Sequence, residues 1–328
     1  MSAKKITHRA SSEIHVVGAI DDNMIYPLLV WASSLIQSAQ RPVRFTIGFL
    51  SGTLSADNRE KLHLCLTHLG ANHIFHELPF DPRFIAQGHI SPTTFAKFLL
   101  AEETLQPHVW IDADAVGLSG WDSILDDSGA QNSPSELFVA ARDEGSLEKP
   151  GAAFNAGILA WPAGERRPWS ERLDTMDVVE TQEQQLFNEL YGDVLGTVSS
   201  SYNVLSYRVD SLREIGHQPR ILHFAGPHKP WQLPGRYRVL CQRHACPWSL
   251  WFSAEALMLS KLESGPLRAW ILKQKRAATR PSRLPLDRGS RGKLLLWCLS
   301  ILGPAGWLIV ILAKPFAARI PSGTHPLH

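Results

Sequence analysis

Val109-Trp110-Ile111-Asp112-Ala113-Asp114-Ala115-Val116 is an apolar run that stops at two carboxylates one residue apart. Read as a buried strand, it puts Asp112 and Asp114 at the strand's end. Their side chains then share one side of the extended backbone, because strand side chains alternate with period two. Carboxylates this close repel unless a cation lies between them. An oxygen-seeking divalent metal, Mn²⁺ or Mg²⁺, meets that need. Asp-x-Asp also occurs at turns and helix caps, so the flanking chain decides its meaning.

Upstream, residues 14–19 (IHVVGA), 45–49 (FTIGF) and 74–78 (IFHEL) read as strands. Between them, Leu28, Leu29, Ala32 and Leu35 share one helix face. Leu62, Leu66 and Leu69 share another, behind a Ser55 cap. Ser91-Pro92-Thr93-Thr94 opens a helix running to about Leu105, with proline where a first turn tolerates it. Such alternation builds right-handed βαβ units, hence an α/β fold with a mainly parallel central sheet and flanking helices. Ligands bind these sheets at the carboxyl ends of the strands. Asp21, Asp22 and Asn23 follow the first strand, and Asp112 and Asp114 the fourth, so both clusters face one crevice.

Downstream, residues 137–141 and 154–161 read as strands and 183–190 as a helix. Residues 202–204 read as a short extended piece and 220–224 as a last core strand. A closing helix is expected over 249–262, then a basic, proline-interrupted linker over 263–292. Residues 294–313, LLLWCLSILGPAGWLIVILA, carry no charge and match the roughly 20 residues a bilayer core requires. A buried helix is the alternative reading of that run. The expected organisation is a lead-in over 1–13, an α/β domain over 14–262, the linker, a membrane-associating segment over 293–314 and a tail over 315–328.

The 328 residues are 44% hydrophobic and 20% charged, an ordinary globular composition. A net charge of +2 argues neither for nor against nucleic acid, and none is among the expected partners. Cys65, Cys241, Cys246 and Cys298 lack the spacing of a disulfide scaffold, which points to reduced thiols in a cytosolic setting. Cys241, His244 and Cys246 supply three zinc-type ligands with no fourth nearby. Residues 1–13 lack the apolar run of a secretory signal. Lys273, Lys275, Arg276, Arg280 and Arg283 would favour anionic lipid, so the expected place is the cytoplasmic, inner face of the cell membrane.

The set of segments Ala19-Ile20-Asp21-Asp22-Asn23, Ile111-Asp112-Ala113-Asp114, Phe154-Asn155-Ala156-Gly157 and residues 223–231 (HFAGPHKPW) resembles the family 8 glycosyltransferases. That group includes bacterial lipopolysaccharide galactosyltransferases and glycogenin. Residues 89–97 and 182–188 match it too, and the likeness covers about 14–262. The resemblance implies a GT-A nucleotide-diphospho-sugar transferase fold, with Mn²⁺-dependent transfer of glucose or galactose from a UDP-hexose and retention at the anomeric carbon. It also implies roles. Asp112, Asp114 and His223 match metal ligands. Ala19, Ile20, Asp21 and Asn23 match the uridine and ribose site. Gly226 and Lys229 match the diphosphate grip. His89, Ile90, Thr94, Lys97, Ala113 and Ala156 match further nucleotide-sugar contacts, and Asp143, Asn155, Glu183 and Gln184 the surroundings of the reacting sugar. Three positions depart from the family. Met24 replaces a frequent tyrosine, Lys97 an arginine, and Gln185 an aspartate.

A divalent metal on that set can neutralise a departing diphosphate. Gln184 is a poor nucleophile, so same-face attack is the expected route to retention, with Asp143 and Glu183 as carboxylate alternatives. The membrane segment makes a glycan or lipid-linked acceptor the expected partner. The rival readings are a sugar-nucleotide nucleotidyltransferase, which needs a glycine-rich signature that residues 18–21 do not supply, and a non-catalytic nucleotide-sugar-binding relative.

Overall fold

Strand β1 (Ile14–Ala19) is buried almost throughout and lies in the middle of the main sheet. It pairs in parallel with β2 (Val43–Leu50) on one side and β4 (His108–Ile111) on the other. Outside β2, β3 (Asn72–Leu78) adds in parallel. Beyond β4 the direction changes. There β7 (Ile158–Trp161) runs antiparallel to both β4 and β6 (Leu137–Ala140), and β8 (Leu195–Val198) lies parallel to β6. The order is β3-β2-β1-β4-β7-β6-β8, the mainly parallel α/β sheet expected. A second, three-stranded sheet has the order β5 (Ala115–Gly117), β10 (Ile221–His223), β9 (Val204–Leu205). This computed structural model describes residues 13–84, 91–129, 135–140, 154–175, 182–208, 218–226, 229–233, 238, 241, 246–262 and 265–278, all within one compact unit spanning Met1–Arg280.

The described residues include helices α1 (Ile25–Ser38), α2 (Ala56–His68), α3 (Ala96–Glu103), α4 (Ile124–Asp127), α5 (Ser170–Thr175), α6 (Gln182–Tyr191), α7 (Trp248–Lys261) and α8 (Pro266–Ala278). Helix α1 is buried from Ile25 through Leu35, and its Trp31 packs on Phe45 of β2 with ring centres 5.2 Å apart. Ser55 caps α2 as expected, its hydroxyl accepting from the Asn58 amide. An aromatic layer joins α3 to α6, where Phe98 stacks on Phe187 with centroids 3.9 Å apart. That contact fixes the neighbouring residues Lys97 and Glu183 across from each other.

Four local expectations differ from the structure. Residues 154–157 precede β7 rather than belonging to it, because the Asn155 side chain accepts from the Gly157 amide and turns the chain. Ser200–Asn203 is a 3₁₀ turn that only then enters β9, since Ser199 caps it through the Ser201 amide. The strand at 221–223 belongs to the small sheet, not the main one. Residues 266–278, read as part of a basic linker, form α8. Its Ile271 is buried, Gln274 bonds Asn58 of α2 at 3.3 Å, and Lys275 lies 3.1 Å from Glu255. Glu255 also accepts from Tyr26 of α1 at 2.5 Å and pairs with Arg238. The basic residues thus answer a buried carboxylate as well as solvent. Among the described residues no helix is long and apolar enough to cross a membrane. The apolar run 294–313 and the lead-in up to residue 12 lie outside the described residues.

Candidate active site

Strand β4 ends at Ile111, and Asp112 to Asp114 make the turn into β5. The Ala115 amide closes that turn on the Asp112 carbonyl at 3.1 Å, while the Asp112 amide bonds the Gly157 carbonyl at 2.9 Å. The two carboxylates therefore converge through a turn rather than along one extended strand. Register brings the third group. β10 lies antiparallel to β5 with His223 opposite Ala115, and the Phe224 amide donates to the Asp114 carbonyl at 2.9 Å. His223 Nε2 consequently lies 3.2 Å from Asp114 Oδ1 and 3.9 Å from Asp112 Oδ2. One ligand atom from each of Asp112, Asp114 and His223 lies within 4.8 Å of the others.

These residues fit a divalent metal. Asp114 Oδ1 is buried without a hydrogen-bond partner, a costly state for a carboxylate oxygen unless a cation answers it. Gly157 supplies the room, because a Cβ there would lie 2.1 Å from His223 Cε1. Trp110 Nε1 donates to Asp112 Oδ1 at 2.7 Å and fixes that carboxylate. Two carboxylates and an imidazole are a donor set that divalent transition metals accept.

Two lysines surround the acidic pair. Lys229 Nζ bonds Asp114 Oδ2 at 2.5 Å and the Phe224 carbonyl at 2.9 Å. Burial alone would raise the Asp114 carboxyl, but Lys229 and His223 beside it hold it far below the usual carboxylate range. Lys97 is 3% exposed, lies 3.3 Å from Asp112 Oδ1 and pairs with Glu183. Burial disfavours its charge, yet Asp112 and Glu183 together raise its pKa above the ordinary value. Burial also pushes the Glu183 carboxyl up. Lys97 pulls it back, Asp112 repels it, and the net direction is upward.

All of this lines a cavity of about 620 Å³. Of the expected residues, Ala19, Ile20, Asp21, Thr94, Lys97, Asp112, Ala113, Asp114, Asn155, Ala156, Glu183, His223, Gly226 and Lys229 are on its wall. Gly226 has φ of 93°, a backbone state glycine adopts without strain. Asn23 is exposed and does not line the cavity; its amide is capped by Asp21, and Met24 takes the wall position. Asp22 bonds the Ser55 amide at 3.1 Å and Asn58 at 2.9 Å, which ties it to α2. His89, Ile90 and Asp143 lie outside the described residues, as does the Gln184 side chain, whose backbone is in α6.

Sequence reasoning missed Trp110, Ser91, Asn203, Tyr207 and Trp248. Trp110 was within reach, because period two puts it on the face of Asp112. Ser91 donates to Asp21 Oδ2 at 2.9 Å. Tyr207 and Trp248 line the cavity, and Asn203 bonds both His223 and Asn155. Those contacts are tertiary and left no local mark.

The glycosyl transferase family 8 model matches residues 15–233. General stress protein A of Bacillus subtilis (strain 168) is 20% identical over 254 residues, covering 68% of this chain and 89% of that protein. The structure of the galactosyltransferase LgtC in complex with donor and acceptor sugar analogs superposes with a TM-score of 0.57 at 22% identity, covering 77% of this chain and 98% of that one. The apo form of the glycosyltransferase GlyE of Streptococcus pneumoniae TIGR4 gives 0.53 at 19% identity, covering 80% and 64%. Those neighbours share the GT-A fold, and with two thirds of its length matched by the family model, the chain belongs to glycosyl transferase family 8 and is a glycosyltransferase.

Proposed function

We propose that the protein moves glucose or galactose from a UDP-hexose to a glycan or lipid-linked acceptor, with Mn²⁺ as the metal, Mg²⁺ as the alternative, and retention at the anomeric carbon. One observation carries this reading. The orphaned Asp114 Oδ1 meets His223 and Asp112 in a cavity that the β1 loop and Lys229 also line. A metal bound to that set would neutralise the charge that grows on the departing diphosphate. Lys229 then turns from Asp114 to the phosphate oxygens as a second positive charge. The left-handed Gly226 lets the backbone approach the same oxygens. Asp21 is held by Ser91 at the cavity wall, where the expected ribose lies.

The donor sugar would sit between Lys97, Asn155 and α6. Glu183 is engaged by Lys97, which disfavours it as a nucleophile and supports same-face attack. In that route the leaving phosphate takes the acceptor's proton, and Gln184 and Asp143 are the further groups that the family resemblance implies for the reacting sugar. Trapping a glycosyl adduct on Glu183 or Asp143 would overturn this ordering. The charge-free run 294–313, between basic flanks, supports attachment to the inner face of the membrane. Fractionation of the full chain into the soluble phase without detergent would count against it.

A thermal-shift panel of nucleotide sugars with and without Mn²⁺ tests the donor. UDP-glucose or UDP-galactose with Mn²⁺ should raise the melting temperature more than either component alone. Equal shifts with other bases, or none with any UDP-sugar, would refute the donor assignment.

A further inference from the structure

His223 has two nitrogens, and a metal needs the lone pair of one of them. Which nitrogen carries the proton follows from a chain of hydrogen bonds that starts at a backbone amide. The Gly157 N–H can only donate, and it donates to Asn155 Oδ1 at 3.1 Å. That fixes the orientation of the Asn155 amide, with oxygen toward Gly157. The same oxygen accepts from Asn203 at 3.0 Å, so Asn203 must present its NH₂ group there. Its own oxygen is then left facing His223 Nδ1 at 3.0 Å. An amide oxygen only accepts, so Nδ1 bears a hydrogen, and in the neutral ring Nε2 is then the nitrogen that keeps its lone pair.

We propose that Gly157, Asn155 and Asn203 form a relay that fixes His223 with Nδ1 protonated and Nε2 aimed at the carboxylates, which makes Asn203 a positioning residue for the metal site. Without the relay, electrostatics favour the opposite arrangement. Asp114 Oδ1, 3.2 Å from Nε2, is an acceptor that competes for the neutral ring's single hydrogen. A metal would then have to displace that proton before binding. The ring lies close against Gly157, since a Cβ added there would come within 2.7 Å of Nδ1. β9 delivers Asn203, since it pairs in parallel with β10, placing Leu205 opposite His223 with Asn203 in the turn just before it. Partners beyond the first ligands typically tune metal affinity 10–100-fold.

The inference rests on reading Asp112, Asp114 and His223 as a metal site, and its test separates the two. Long-range ¹H–¹⁵N correlation on metal-free protein at alkaline pH, with the His223 signals assigned by their loss in His223→Gln, reads which nitrogen carries the proton. Protonated Nδ1 is expected in the wild type; unprotonated Nδ1 overturns the relay and needs no variant to fold. Asn203→Asp keeps an acceptor toward Nδ1 but loses the donor to Asn155 Oδ1, and Asn203→Leu removes both at similar size. Free Mn²⁺ measured by electron paramagnetic resonance in the presence of UDP should show Asn203→Asp binding more tightly than Asn203→Leu. Asn203→Leu should bind about 10–100-fold more weakly, with its proton moved to Nε2. Equal Mn²⁺ affinity in Asn203→Leu and wild type overturns the relay. Failure of the wild type to bind Mn²⁺ instead overturns the metal site and leaves the proton measurement to decide the relay.

Discussion

Replacing Lys97 with methionine removes a buried charge and keeps the shape of its stem. Lys97 is 3% exposed and sits between Glu183, itself nearly buried, and Asp112. At an effective dielectric of about 20, unit charges 3.3 Å apart attract by about 5 kcal/mol, most of which desolvation cancels. What a single deletion exposes is the partner left behind, and an uncompensated buried charge typically costs about 3–5 kcal/mol. Lys97→Met should therefore lower unfolding stability by about 3 kcal/mol at pH 7, read from the urea midpoint. The pH dependence has a definite sign. Burial already raises the Glu183 carboxyl, and Lys97 opposes that rise. Without the lysine the folded pKa moves further up. The penalty is then full above that folded value and disappears as pH falls toward the ordinary carboxylate value, where both states are protonated. The deficit should shrink between pH 7 and pH 4.5. The double variant Lys97→Met/Glu183→Leu should recover most of it, because an apolar pair can replace a buried ion pair at little cost. An unchanged midpoint in Lys97→Met, or a deficit that grows on acidification, refutes the reasoning.

Other outcomes follow from the same geometry. Gly157→Ala puts a Cβ 2.1 Å from His223 Cε1, so the ring must swing away; Mn²⁺ affinity measured by electron paramagnetic resonance should fall at least tenfold. Tyr26→Phe removes a 2.5 Å bond to Glu255, a charged acceptor that joins α1, α7 and α8; a loss of about 1.5–3 kcal/mol in urea unfolding is expected. His15 and His108 are held neutral by burial, with pKa values lowered to about 4 and about 3. The unfolded chain takes up their protons from about pH 6.5 downward, so each removes about 1.4 kcal/mol of stability per pH unit below that point. Unfolding at pH 6.5 and pH 5 should differ by about 2 kcal/mol per histidine, and His108→Asn should flatten the slope.

The sequence carried the fold where period and caps were local. Strand β1, the Ser55 cap and the apolar face of α1 were legible because each depends on residues within one or two turns. The acidic pair was legible from two carboxylates at a strand end, and His223 only through the family resemblance. Their convergence depends on the β5–β10 register, which no spacing reveals. Helix α8 departs from the basic, proline-interrupted linker expected over 263–292. Ile271 and the contact of Lys275 with Glu255 show one face turned inward. Asn203 was invisible in the sequence. It is one polar residue in a serine-rich turn, and its value comes from groups twenty and forty-eight residues away.

The account turns on Asp114. Release of UDP from a UDP-hexose, followed with and without Mn²⁺ for the wild type and for Asp114→Asn, tests it most directly. Metal-dependent release should appear in the wild type and collapse in the variant, whose native fold is checked by circular dichroism because losing the Asp114–Lys229 pair also lowers its melting temperature. Full metal-dependent release by a folded Asp114→Asn protein would contradict it.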